Sequence, residues 1–210
     1  MTELPHVWRD TDDNGKPLPH PSIISSTIMR GQDSPWLLPK YLRRGRYVEH
    51  CVTMLAQGKK IPDAWWQGGS GEKKEHDYID HEECRPYVEG GSKFLRENKW
   101  KLTTHSVEIT HSTYGYQGHM DWLGRFEVDA DQLIWIVDLK CGSPNPDMDF
   151  AYRMQLALYA MAAGYNPCRR ANLYLYDGTY KWVERNDRQD LVRAKAILSY
   201  YNILRGEGLL

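Results

Sequence analysis

The sequence predicts an α/β fold: a central mixed β-sheet flanked by helices, in the order α-βββ-α-β. Three observations carry this. Helical spacing dominates residues 39–57 and 78–98. From residue 102 the apolar period changes to two and holds to residue 139. A strongly apolar helix, FAYRMQLALYAMAA at 150–163, then separates those strands from another, ANLYLYDG at 171–178. Strands followed by a helix and a further strand describe a mixed sheet with helical cover.

Each element has its own signal. Residues 1–22, rich in Pro, Asp and His, read as an N-terminal arm, leaving 23–210 as a single domain. PSIISSTIM (21–29) reads as a short strand or helix docking on the core. In the first long helix, Val48, Cys51, Val52 and Leu55 fall at i, i+3, i+4 and i+7, and Gly58 ends it. Residues 61–77, with Gly-Gly-Ser-Gly at their centre, read as a loop. The second helix offers Tyr87, Phe94 and Leu95 as core anchors. LTTHSVEITH (102–111) and YGYQGHMDWLGRFEV (114–128) read as strands, Asp129-Ala130-Asp131 as a tight turn, and 132–139 as the third strand. Residues 142–149 read as loop. Gly164 and Pro167 end the apolar helix. YKWVE is a candidate fifth strand, and 187–204 forms a C-terminal amphipathic helix.

With 210 residues, 41% hydrophobic and 26% charged, the chain has the composition of an ordinary globular protein. It lacks both a secretory h-region and an apolar stretch near the roughly 20 residues a bilayer requires, so a cytoplasmic location and no membrane partner are expected. Cys51, Cys84, Cys141 and Cys168 are scattered without a CxxC pair. Neither a disulfide framework nor an iron–sulfur cluster is expected. The net charge of −1 does not announce a nucleic-acid partner. Lys40, Arg43, Arg44 and Arg46 cluster locally, either as phosphate contacts or as a solvated helix start.

The chemistry concentrates at IVDLKCG (136–142). Asp138 and Lys140 end an apolar strand, and strand residues at i and i+2 share a face. Taken alone, the triplet reads as an ion pair at a sheet edge, and Glu72-Lys73-Lys74 and Glu97-Asn98-Lys99 show how common such triplets are. Its company changes the reading. Asp121 lies on the preceding strand, one hairpin away, so Asp121 and Asp138 converge at one end of the sheet. Two close carboxylates repel unless a proton or cation sits between them, and a hard, oxygen-seeking ion such as Mg²⁺ suits them. Glu108, on the first strand, is either a further functional carboxylate or an exposed strand residue. On the first helix Glu49 lies at the margin of the buried stripe and His50 points nearly opposite, which favours Glu49 as the additional ligand. Gln155 and Tyr159, at i and i+4, share a face of the apolar helix, where a glutamine needs a hydrogen-bond partner.

This ordered set resembles the RecB-like branch of the PD-(D/E)XK nucleases. The carrying motifs are GHMD (118–121), IVDLKCG (136–142), QLALY (155–159) and the upstream RGRYVEH (44–50). The stretches PSIISSTIM, RPYVEGGSKFLRE and ANLYLYDGTYKWVE fall where phage-type members have similar ones, so the likeness covers most of the chain. It implies a restriction-endonuclease-like core. It implies Asp121 and Asp138 as metal ligands with the Leu139 carbonyl, Lys140 as catalytic lysine, Glu108 assisting the metal or water, and Gln155 and Tyr159 placing substrate. The family often has His four residues after the motif glycine. Here Glu49 stands there and His50 follows, and either serves as ligand.

The implied activity is Mg²⁺-dependent hydrolysis of DNA phosphodiester bonds, with Mn²⁺ substituting, most simply by an exonuclease of phage recombination or repair. A single-strand annealing protein is the implied partner. The alternatives are a structure-specific or single-strand endonuclease and a non-catalytic DNA-binding protein on the same fold. The tryptophan pair Trp65-Trp66, beside the Gly-rich loop, is either a base-stacking site or core.

Overall fold

The change of period at the middle of the chain marks the start of one continuous sheet. The computed structural model describes residues 18–24, 39–62, 81–165 and 168–209. Among them are four long helices, α1 (Pro39–Ala56), α2 (His81–Asn98), α3 (Pro146–Ala163) and α4 (Gln189–Gly206). The five strands are β1 (Trp100–His111), β2 (Tyr116–Phe126), β3 (Ile134–Cys141), β4 (Cys168–Tyr176) and β5 (Thr179–Glu184). Most of the Gly-rich loop, the Trp65-Trp66 pair, most of the N-terminal arm and the second half of PSIISSTIM lie outside the described residues.

The sheet runs β1-β2-β3-β4-β5 in space. Its β1–β2, β2–β3 and β4–β5 pairs are antiparallel, and β3–β4 is parallel. A parallel pair requires a crossover, and α3 supplies it. The fold is thus α/β with a mixed sheet covered by helices on both faces.

Two differences from the expected boundaries have local causes. The α3 helix begins at Pro146, inside the stretch 142–149 expected to be loop. Asn145 caps it by accepting the Asp147 N–H at 3.0 Å, and proline suits the first helical turn because its missing N–H would be unpaired there anyway. The third strand continues to Cys141 because β4 pairs with it in parallel register from Ile134–Cys168 to Cys141–Leu175.

The two faces pack differently. On one, Val48, Cys51 and Val52 of α1 and Val88 and Phe94 of α2 cover Trp100, Trp122, Trp135 and Val137. Rings dominate there: Phe94 stacks on Trp182 at 5.5 Å, and Trp100 on Trp122 at 6.2 Å. The indole of Trp122 donates to Thr53 Oγ1 at 2.8 Å, tying α1 to β2 in the core. Gly90 and Gly91, costly in mid-helix at about 1 kcal/mol each, let α2 approach closely. A Cβ at Gly90 would meet the Thr179 backbone, and one at Gly91 the Val52 side chain.

On the other face α3 and α4 cover Ile109, Met120, Leu123 and Ile136. The N-terminal segment docks here as one helical turn at 21–24. Ile24 is fully buried beside Tyr116, Met154 and Leu158, a contribution of about 1.5–3 kcal/mol. The Pro19 carbonyl also accepts the Gln117 N–H at 3.2 Å. This places His20 against β2, and Gly118 makes room for it: a Cβ there would lie 2.8 Å from Pro21 and 3.0 Å from the His20 ring.

Candidate active site

The β2–β3 ladder is short. Its pairs run from Trp122–Val137 to Gly124–Trp135, and Asp121 and Asp138 are the next residues on each strand. Two acids directly opposite would repel. The Asp121 carboxylate instead accepts the Leu139 N–H at 2.7 Å, a side chain standing in for the ladder carbonyl. The polar site occupies this fork.

Asp138 and Lys140 share the face of Ile136, towards α3, as their spacing predicts. Asp138 is 2% exposed and accepts on both oxygens. The Lys140 ammonium reaches Oδ1 at 3.0 Å and Oδ2 at 2.8 Å, and the Asn172 amide donates to Oδ2 at 2.8 Å. Lys140 also donates to Gln155 Oε1 at 3.2 Å and lies over the Tyr152 ring at 4.5 Å. Gln155 Nε2 donates in turn to the Tyr159 hydroxyl at 2.9 Å. Gln155 and Tyr159 are buried, so the polar pair in the apolar helix serves Lys140 from within.

Glu49 reaches the fork from α1. Its carboxylate accepts from Ser106 Oγ at 3.4 Å, and Ser106 holds the left-handed φ of +48°. Such backbone is uncommon for a residue other than glycine and concentrates at functional sites. His50 is exposed, on the wall of an open cleft of about 200 Å³ that Arg46, His105 and Ser106 also line.

The electrostatics follow from this crowding. Burial, then Asp138 and Glu49, push the Asp121 carboxyl well above the ordinary carboxylate range. Burial raises Glu49 as well; the Ser106 hydroxyl opposes this, and Asp138 adds to it. Burial alone would lower the Lys140 ammonium, but Asp138, Tyr152 and Asp121 outweigh it and hold it protonated. Three carboxyl groups therefore crowd one lysine, and burial favours the neutral form of two of them unless a cation joins them. The donors are all hard oxygens, a set that suits Mg²⁺. Among the described residues, no group of three or more His, Cys, Asp or Glu side chains is already arranged to hold a metal ion.

Other expected residues lie elsewhere. Glu108 is half-exposed opposite His119, whose Nε2 is 3.4 Å from its carboxylate. The structure thus ties Glu108 to His119, not to Asp121 or Asp138. Arg44 packs between α1 and α2, 3.3 Å from Glu83 and over the rings of Tyr41 and Tyr87, so its charge is engaged internally. Arg43 is half-buried, its Nε without a hydrogen-bond partner among the described residues. Arg46 alone of the three lines the cleft beside Glu49.

Ser106 and Tyr152, which touch Glu49 and Lys140, carried no signal in the sequence, and two further groups escaped the sequence reading as well. Asn172 was visible in principle, as an amide inside the apolar run ANLYLY. His20 carried no such signal. Its Nε2 accepts the His119 N–H at 3.3 Å, its Nδ1 bonds Ser22 Oγ at 2.7 Å, and its ring meets Tyr159 edge-on at 6.1 Å. Burial, then His119 and Lys140, bring its pKa down to about 4.

No protein-family model matches the chain, and no curated protein matches it. Among solved structures, the chain is similar to the crystal structure of SSO0001, at 12% identity over 85% of this chain and 84% of that one, with a TM-score of 0.34. A likeness this weak bears on neither fold nor chemistry. Among the described residues no helix is long and apolar enough to cross a membrane.

Proposed function

We propose that this protein is a divalent-metal-dependent nuclease that hydrolyses DNA phosphodiester bonds on a restriction-endonuclease-like core. One observation carries the reading: Asp121, Asp138 and Glu49 crowd the β2–β3 fork until two of them are pushed above their ordinary range, with the Lys140 ammonium clamped to the third. A structural ion pair needs neither of the additional acids. Two buried carboxylates held in mutual repulsion are costly, and enzymes retain such arrangements where a cation or reacting group relieves them.

Asp121, Asp138, Glu49 and the Leu139 carbonyl would hold Mg²⁺ or Mn²⁺. Such an ion activates water and neutralises phosphate charge. The chain's own residues supply the remainder. Lys140 is protonated, so it acts as a donor, orienting the attacking water or stabilising negative charge on the phosphate oxygens. Gln155 fixes the ammonium from behind, and Tyr159 fixes Gln155. Arg46, at the cleft beside Glu49, would meet a backbone phosphate.

Within this reading, an exonuclease of phage recombination or repair, working with a single-strand annealing protein, is favoured over a structure-specific endonuclease. The resemblance of the ordered motifs supports that preference. The deciding assay measures cleavage of linear, closed-circular and single-stranded DNA with and without Mg²⁺ or Mn²⁺. The expected result is metal-dependent loss of linear DNA with closed circles intact. Cutting of circles would replace the exonuclease by an endonuclease. Metal-independent DNA binding without cleavage of any substrate would leave a non-catalytic DNA-binding protein.

A further inference from the structure

Behind Asp138 runs a buried polar chain that begins at the surface. Asp149, in the first turn of α3, is half-exposed, and its Oδ1 lies 2.7 Å from Arg185 Nη1. Arg185, just past β5, is 9% exposed. Its Nε donates to Asn172 Oδ1 at 2.9 Å and its Nη2 to the Tyr174 hydroxyl at 3.2 Å. Asn172, fully buried on β4, donates through Nδ2 to Asp138 Oδ2 at 2.8 Å. Parallel pairing sets Asn172 beside Asp138 in the register.

The chemistry of the guanidinium fixes the direction of this chain. Arginine only donates, so the oxygen of the Asn172 amide must face it. The NH₂ must then face Asp138. Without Arg185 the amide is free to turn, and its oxygen would confront the carboxylate. Lys140 reaches both oxygens of Asp138, whereas Asn172 donates to Oδ2 alone and leaves Oδ1 without a donor from β4.

We infer that Asn172 and Arg185 are positioning residues for Asp138: Arg185 locks the Asn172 amide so that one carboxylate oxygen is pinned inward and the other is presented to the fork. The inference rests on the nuclease reading above. Outer partners of this kind orient a ligand, and their loss costs about 10–100-fold in metal affinity or activity. A lysine at 185 would keep the charge but lose the planar fork that engages three acceptors at once.

The test compares wild type with Asn172→Leu and Arg185→Lys in three measurements. These are steady-state cleavage, Mn²⁺ binding by titration calorimetry without DNA, and DNA affinity in Ca²⁺. Each variant is expected to lower kcat by about 10–100-fold and to weaken Mn²⁺ binding about tenfold. KM and DNA affinity should stay within about threefold of wild type, a split that general loosening of the fold would not produce. Variants with wild-type kcat and Mn²⁺ affinity would overturn the inference while leaving the nuclease intact. A wild type that neither cleaves DNA nor binds Mn²⁺ would remove the nuclease reading and the inference with it. If the buried variants do not fold, Asp149→Ala, which removes the acceptor of Arg185 altogether, carries the test from the half-exposed end: a severalfold fall in kcat supports the chain of contacts, and an unchanged kcat refutes it.

Discussion

Two regions of the same sheet solve opposite problems. Over the α1–α2 face, Phe94, Trp100, Phe126, Trp135 and Trp182 stack and meet edge to face, and burial itself supplies the stability. At the β2–β3 fork, burial works against the groups it encloses, lifting Asp121 and Glu49 towards their neutral forms. The strands are shared. Trp122 faces the aromatic layer while its neighbour Asp121 enters the fork.

The contrast can be broken from either side. The largest effect is expected at the fork. Asp138→Ala and Lys140→Ala should each reduce metal-dependent cleavage about 100–1000-fold, as loss of an electrostatic stabiliser does, with circular dichroism unchanged. Retained cleavage in Asp138→Ala would sink the site assignment. On the aromatic side, Trp135→Ala should cost about 3–5 kcal/mol in urea unfolding, while the surviving folded fraction keeps its specific activity. A loss of activity beyond the loss of folded protein would mean that the two regions are coupled.

His20 sharpens the comparison through pH. Its folded pKa, brought down to about 4, lies below its ordinary 6.5. The unfolded chain therefore binds the extra proton first. Stability from His20 is complete above pH 6.5 and drains away as pH falls through 4, about 3 kcal/mol in all. Asp121 and Glu49 act with the opposite sign, since protonation relieves them. His20→Gln should flatten the acid-side fall in the urea midpoint. A slope equal to wild type would show that His20 is not buried against β2 as described.

Smaller effects follow. Asp121→Asn removes a costly charge yet keeps an acceptor for the Leu139 N–H, so it should raise stability at neutral pH by about 0.5–2 kcal/mol while losing cleavage. Destabilisation would contradict the crowding. At α1, Glu49→Ala should weaken metal-dependent cleavage more than His50→Ala, and the reverse order would make His50 the ligand.

Much of this arrangement is legible in local pattern. The period change marks the sheet. The apolar run into Asp138 and Lys140 marks a buried strand end, and the hairpin through 129–131 implies that Asp121 comes near. The stripe through Val48, Cys51 and Val52 turns Glu49, not His50, towards the sheet. Partner choice is less legible. Glu108 pairs with His119 and Arg44 with Glu83 because of register and helix packing, which no single segment encodes. Asn145-Pro146 was a readable helix start, obscured by the loop-like composition around it.

The sequence by itself determined the elements and their order, and which face of each is apolar, because helices and strands repeat at fixed periods and burial selects matching residues. Only the tertiary structure decided that Glu49 from one layer meets the fork, that His20 from the N-terminal segment sits against β2 and Tyr159, and that Arg185 sits behind Asn172. Those placements depend on where the β2–β3 ladder stops and on parallel pairing between β3 and β4. They join residues far apart in the chain, and the electrostatics of the site arises only once they meet.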